Sequence, residues 1–70
     1  MTLSNPSVIT LDQFLKQVGI VGSGGEAKIL IQGGEVLLNG VVETRRGKKL
    51  VAGDVVEFGG QRLVVTQELT

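Results

Sequence analysis

The sequence predicts an α+β fold, two short N-terminal helices packed on a small, mostly antiparallel β-sheet, and three observations carry that expectation. Apolar residues recur at helical spacing before Gln32. After Gly34 the period changes from helical to extended. The glycine-bearing pairs Asn39-Gly40 and Gly59-Gly60 each separate two valine-rich runs, the short-range signature of a β-hairpin.

Taken in order, Met1 to Ser7 is polar, holds the only proline and reads as an arm, with Val8 and Ile9 as candidates for a short edge strand. Thr10-Leu11-Asp12-Gln13 fits a capping box, in which Thr10 accepts from the Gln13 backbone N–H and the Gln13 side chain reaches back. A first helix follows, placing Leu11, Phe14, Leu15 and Val18 on one face and Asp12, Gln13, Lys16 and Gln17 on the other, and Gly19 stops it. Ser23-Gly24-Gly25-Glu26 repeats the same logic, with Ser23 as N-cap and Glu26 at the third helical position. In the second helix Ala27, Leu30 and Ile31 face inward while Gly25, Lys28 and Gln32 share another face, and Gly33-Gly34 ends it.

Val36 to Leu38, Asn39-Gly40 and Val41-Val42 then predict a hairpin with a type I′ turn, which needs positive φ at both central residues. Thr44 to Lys49 reads as a basic loop, Leu50-Val51 as a short strand and Ala52-Gly53-Asp54 as a turn. Val55 to Phe58 and Arg62 to Thr66 make a second hairpin about Gly59-Gly60. The folded domain is expected to span 10–66, after an N-terminal arm of 1–9 and before a tail of 67–70.

Composition narrows the function. Seventy residues with 41% hydrophobic content support one core, since folding at this size removes only about 60% of the unfolded surface from water. With no cysteine and no histidine, the commonest metal ligands and the commonest general base are absent. The carboxylates Glu26, Glu35, Glu43, Asp54 and Glu57 read as a cap, turn residues and strand-face charges rather than as a paired acid and base. No enzyme activity, cofactor, metal or small-molecule substrate is expected. No apolar run approaches the roughly 20 residues of a membrane helix, and no signal-peptide pattern opens the chain, so a soluble cytoplasmic protein is expected. Only two aromatic residues, Phe14 and Phe58, are present, and both read as core, which argues against a base-stacking platform.

Formal net charge is zero, so a polyanionic partner can be argued only from distribution. Four of the five residues from Arg45 to Lys49 are basic, namely Arg45, Arg46, Lys48 and Lys49, out of seven Lys and Arg in the chain. A run of that kind is often no more than a solvated loop. Lys16 and Lys28 add cations from the helices, and a helix opening in Gly24-Gly25 offers backbone N–H groups to an anion. The plain alternative is that these glycines serve a tight interhelical turn. Gly22-x-Gly24-Gly25 lacks the preceding buried strand of a dinucleotide-binding loop. Asn39-Gly40 is either a turn alone or a protruding tip able to touch a phosphate or a 2′-hydroxyl.

The order of a capped helix, Ser23-Gly24-Gly25-Glu26-Ala27-Lys28, Leu30-Ile31, Gly34-x-Val36, Leu38-Asn39-Gly40 and Gly53-Asp54 resembles the S4-like RNA-binding domain, over roughly Thr10 to Phe58. The Ser-Gly-Gly-Glu-Ala-Lys form with Arg45-Arg46-x-Lys48-Lys49 is similar to a subgroup of small stand-alone bacterial proteins. That resemblance implies a non-catalytic binder of structured RNA, ribosomal RNA or the ribosome among the candidates, with the second helix and adjoining strands lining the groove. The expected contacts are Lys16, Ser23, Gly24, Gly25, Lys28, Asn39, Gly40, Arg45, Arg46, Lys48 and Lys49. Many members carry an arginine directly after the serine, where this chain has Gly24, which shifts the expected weight to the four loop cations.

Two other classes compete. A basic loop also suits an acidic protein partner. Val36 to Gly60 is similar to part of a ubiquitin-like sulfur carrier, but such carriers need a glycine pair at the C-terminus, and here ten residues follow Gly60.

Overall fold

The computed structural model describes residues 9–66. Their elements are β1 (Ile9–Thr10), α1 (Leu11–Gln17), α2 (Gly24–Gln32), β2 (Leu37–Leu38), β3 (Val41–Val42), β4 (Lys49–Leu50), β5 (Val55–Phe58) and β6 (Gln61–Val64). Val8, the other residue of the expected edge strand, and the 67–70 tail lie outside the described residues.

Helix α1 begins where the Thr10 sequence places it. The Thr10 backbone N–H donates to Gln13 Oε1 at 3.1 Å, closing the expected box. Asp12 joins it: the Thr10 hydroxyl and the Gln13 N–H, the latter at 2.9 Å, both donate to Asp12 Oδ1. These bonds satisfy donors that a helix start otherwise leaves open. The helix ends at Val18 and Gly19, the latter at φ +85°. Helix α2 starts on Ser23, whose Oγ accepts from the Glu26 N–H at 3.3 Å. The reciprocal half differs from expectation. Glu26 Oε1 accepts the N–H of Gly22 at 2.7 Å, one residue ahead of the cap.

All strand pairs are antiparallel, but they form two sheets rather than one: a four-stranded sheet in the order β3-β2-β5-β6 and a separate pair of β1 with β4. The first hairpin has Leu38 opposite Val41, with Asn39 at φ +53° and Gly40 at φ +85°, the signs a type I′ turn requires. In the second, Phe58 lies opposite Gln61, and Gly59-Gly60 is a tight turn inside the chain, unlike the free glycine end of a sulfur carrier. Strand β4 is Lys49–Leu50, one residue earlier than expected, because its partner β1 fixes the register as Ile9 to Leu50 and Thr10 to Lys49. That register turns Leu50 into the core and leaves Val51 in solvent.

The core lies between the helical pair and the strands. Leu11, Phe14 and Leu15 from α1, Ala27 and Ile31 from α2, and Val36, Leu50, Val56 and Val65 from the strand segments are fully or almost fully buried. Val18, Leu30 and Phe58 pack around them only partly covered. Phe58 is thus a rim residue, not the second core aromatic the sequence suggests; it borders a shallow hollow with Val18, Gly19 and Ile20. No buried polar or charged residue interrupts this core among the described residues.

Candidate nucleic-acid interface

The basic loop is shaped by backbone bonds rather than left to solvent. The Lys48 N–H donates to the Arg45 carbonyl at 3.2 Å, closing a turn across Arg46 and Gly47. The loop then caps α1: the N–H groups of Leu11 and Asp12, the first two of the helix, donate to the carbonyls of Lys48 at 2.8 Å and Arg46 at 3.1 Å. Those N–H groups have no partner inside the helix, so the loop supplies acceptors they need. Lys49 continues into β4 across from Thr10, which anchors the far side of the loop. With its carbonyls committed to α1, the loop leaves Arg45, Arg46 and Lys49 exposed and Lys48 half-buried.

Of these four cations, Arg45 alone is ion-paired among the described residues. Its Nε donates to Glu43 Oε2 at 2.9 Å, its Nη2 to Oε1 at 3.3 Å, and its backbone N–H to Oε2 at 3.1 Å. Those side-chain and backbone bonds from Arg45 hold the Glu43 carboxyl below its ordinary range, and the carboxylate in turn raises the guanidinium pKa. Since the folded Glu43 pKa is depressed, what the pair adds to stability is present above the ordinary carboxylate range and is lost as pH falls through the lowered value. Sequence spacing contains a signal for this pair that charge counting misses. In an extended segment residues two apart share a side, which is the relation of Glu43 to Arg45.

At the start of α2 the structure gives the glycines a specific meaning. Neither Gly24 nor Gly25 has positive φ. A Cβ built on Gly24 meets nothing within 4 Å, and one on Gly25 only Ser23 Oγ at 3.8 Å, ordinary contact. The interhelical turn therefore does not require either glycine, for backbone shape or for space. Gly25, Lys28 and Gln32 line an exposed stripe down the helix, as its period implies. Lys16 is likewise exposed, in the last turn of α1 and about 7.5 Å along the axis from Leu11, where the basic loop docks. The Glu26 carboxylate already accepts at this helix start, so an incoming anion meets a negative charge there.

The hairpin tip is exposed, and its asparagine also bonds within the protein. Asn39 Oδ1 accepts from the Val55 N–H at 2.9 Å, Asn39 Nδ2 donates to Asp54 Oδ1 at 3.1 Å, and the Asn39 N–H donates to the Val55 carbonyl at 2.7 Å. Asp54 Oδ2 also accepts from the Val51 N–H at 3.0 Å. Asn39 and Asp54 thus tie the first hairpin to the turn before β5, a role the local sequence does not reveal because the two residues meet only through the β2–β5 register. A Cβ built on Gly40 meets nothing within 4 Å, so the space beside the tip is open. Arg62, outside the expected set, lies directly across the ladder from Glu57.

A family model described as "S4 domain" matches residues 1–66. A Bacillus subtilis (strain 168) protein named "Probable ribosome maturation protein RlbA" is 51% identical over 53 residues, covering 76% of this chain and 75% of the relative. An Escherichia coli (strain K12) protein named "Putative RNA-binding protein YbcJ" is 44% identical over 57 residues, covering 81% of each.

Proposed function

The chain belongs to the S4 domain family, and from that premise we propose that it is a non-catalytic module that binds structured RNA by shape and phosphate contacts, with ribosomal RNA as the first candidate. The observation that carries this reading is the anchored basic loop: four cations along a turn and the first residue of β4, with the carbonyls of Arg46 and Lys48 capping α1, so that charge is presented outward on a fixed frame. Arg46, Lys48 and Lys49 supply the phosphate contacts, joined by Arg45. Lys28 and Lys16 extend the cationic surface along the helices, with Ser23, Gly24, Gly25 and Gly40 as places of close backbone approach. The named relatives support an RNA partner and a connection with ribosome maturation. An RNA partner of that kind sets the cytoplasm as the working compartment; no described helix is long and apolar enough to cross a membrane.

Titration of a labelled ribosomal RNA hairpin across salt tests the reading. Three to four neutralised phosphates give a log–log salt slope of about −2 to −4. Changing Arg45, Arg46, Lys48 and Lys49 together to alanine should lower affinity about 10- to 100-fold near 0.1 M salt and flatten that slope. Equal affinity and equal slope for the two proteins would remove the loop from the interface.

The glycines give a second test, in which stability and affinity move in opposite directions. Because the backbone at Gly24 and Gly25 suits any residue, the double change Gly24→Ala with Gly25→Ala should stabilise the fold, by about 0.4–1 kcal/mol for each well-accommodated alanine. RNA affinity should nevertheless drop several-fold if a nucleic-acid backbone approaches this helix start. A rise in melting temperature with unchanged affinity would show that nothing approaches there.

A further inference from the structure

Glu43 carries the wrong charge for a phosphate-binding surface, yet it bonds directly to one of that surface's cations. Its backbone N–H is held by the Val36 carbonyl at 3.0 Å, and its side chain is only 13% exposed, so the carboxylate is fixed where β3 runs into the loop. The Arg45 side chain is 71% exposed and free to turn outward. Carboxylate and phosphate compete for the same thing, the two parallel N–H donors along one guanidinium edge. Here Glu43 already occupies one such edge, through Nε at 2.9 Å and Nη2 at 3.3 Å. A tethered carboxylate two residues away competes at high effective concentration.

Resting on the RNA-binding reading above, we propose that Glu43 is a resident counter-ion that competes with RNA phosphate for Arg45 and limits how many phosphates the loop engages. Arg46, Lys48 and Lys49 have no carboxylate within ion-pair distance among the described residues, so they meet phosphate without displacing a partner. To offer its Nε–Nη2 edge to a phosphate Arg45 must release Glu43, and a phosphate on any other edge still meets the carboxylate beside it. Wild-type protein therefore engages about three phosphates through the loop, with a slope of about −2 to −3. Removing the Glu43 charge adds the fourth.

The test is a salt titration of the same RNA hairpin with wild type, Glu43→Gln, Arg45→Ala and the double variant. Glu43→Gln should tighten binding about two- to fivefold at low salt, the range set by an exposed ion pair, and steepen the slope by about 0.7–0.9. In the Arg45→Ala background the same change should gain much less, because the competition has lost its object. Weaker binding by Glu43→Gln would overturn the proposal by showing that the carboxylate orients Arg45 for RNA. An equal gain in both backgrounds would overturn it too, as removal of a repulsive charge and nothing more. If Glu43→Gln does not fold, nitrogen-15 NMR of the wild-type protein decides: the Arg45 Nε resonance shifts on adding RNA if the partner is exchanged and stays in place if it is not. The variant lacking all four loop cations separates the two readings. If it binds like wild type, the RNA-binding role of the loop fails; if it loses affinity while Glu43→Gln matches wild type, only the counter-ion role fails.

Discussion

Phe14→Ala should leave the domain largely unfolded at 37 °C. Phe14 is fully buried on α1 and belongs to the core that also holds Leu11, Leu15, Ala27 and Ile31. Truncating a buried phenylalanine to alanine costs about 3–5 kcal/mol, through lost transfer free energy and the cavity left behind. A 70-residue chain has a total stability of about 3.5–10 kcal/mol. The loss is therefore comparable to the lower part of that range, and the described residues build a single core. Thermal denaturation followed by circular dichroism should show the melting temperature falling by more than about 10 °C, since 1 kcal/mol moves it about 4–8 °C in a domain this small. RNA binding should fall with it, because α1 presents the Leu11 and Asp12 N–H groups on which the basic loop is built. Phe14→Leu keeps most of the volume and should fold. A Phe14→Ala protein melting within a few degrees of wild type would mean that the core closes around the gap.

The second large effect belongs to Asn39. Replacing it with alanine removes the Oδ1 acceptor from the Val55 N–H and the Nδ2 donor from Asp54. It also places a Cβ-bearing residue less tolerant of the left-handed region at φ +53°. Two hydrogen bonds are worth about 0.5–1.5 kcal/mol each and the backbone conformation about 1–2 kcal/mol. Solvent reaches these groups and takes over part of the bonding, so a total near 2–3 kcal/mol is expected. Asn39→Gly separates the contributions, since it keeps the backbone free and loses only the hydrogen bonds; urea denaturation should place it between wild type and Asn39→Ala. Equal stabilities for the two variants would show that left-handed strain contributes nothing. RNA affinity measured where both variants remain folded should change little, because the Asn39 amide is already engaged within the protein.

Elements specified by neighbours in sequence are legible from the sequence. Thr10 and Ser23 mark both helix starts, and Asn39-Gly40 and Gly59-Gly60 mark both hairpin turns, because capping and positive φ depend on residues no more than a few positions apart. The pairing of Ile9–Thr10 with Lys49–Leu50 was not, since nothing local in either dipeptide names the other; the offset of β4 by one residue follows from the same blindness. Charge clustering locates the basic loop, but neither its docking on α1 through the carbonyls of Arg46 and Lys48 nor the capture of Arg45 by Glu43 has a signature in residue counts. Asn39 shows the converse. The tip is exposed as its sequence implies, but the bonds of its amide to Asp54 and Val55 cross a register that only the folded sheet creates.

The β1–β4 ladder also sets an order of events. It joins two dipeptides separated by both helices and the first hairpin, so the entropy of closing that long segment is lost before the contacts return it. A chain emerging from synthesis with only its helical sequence exposed lacks the carbonyls that finish the first turn of α1, and the cations, when they follow, have no frame until Leu50 reaches the core. Shaped recognition is thus acquired late and together with the fold, and before that moment the newborn segment can attract RNA by charge alone.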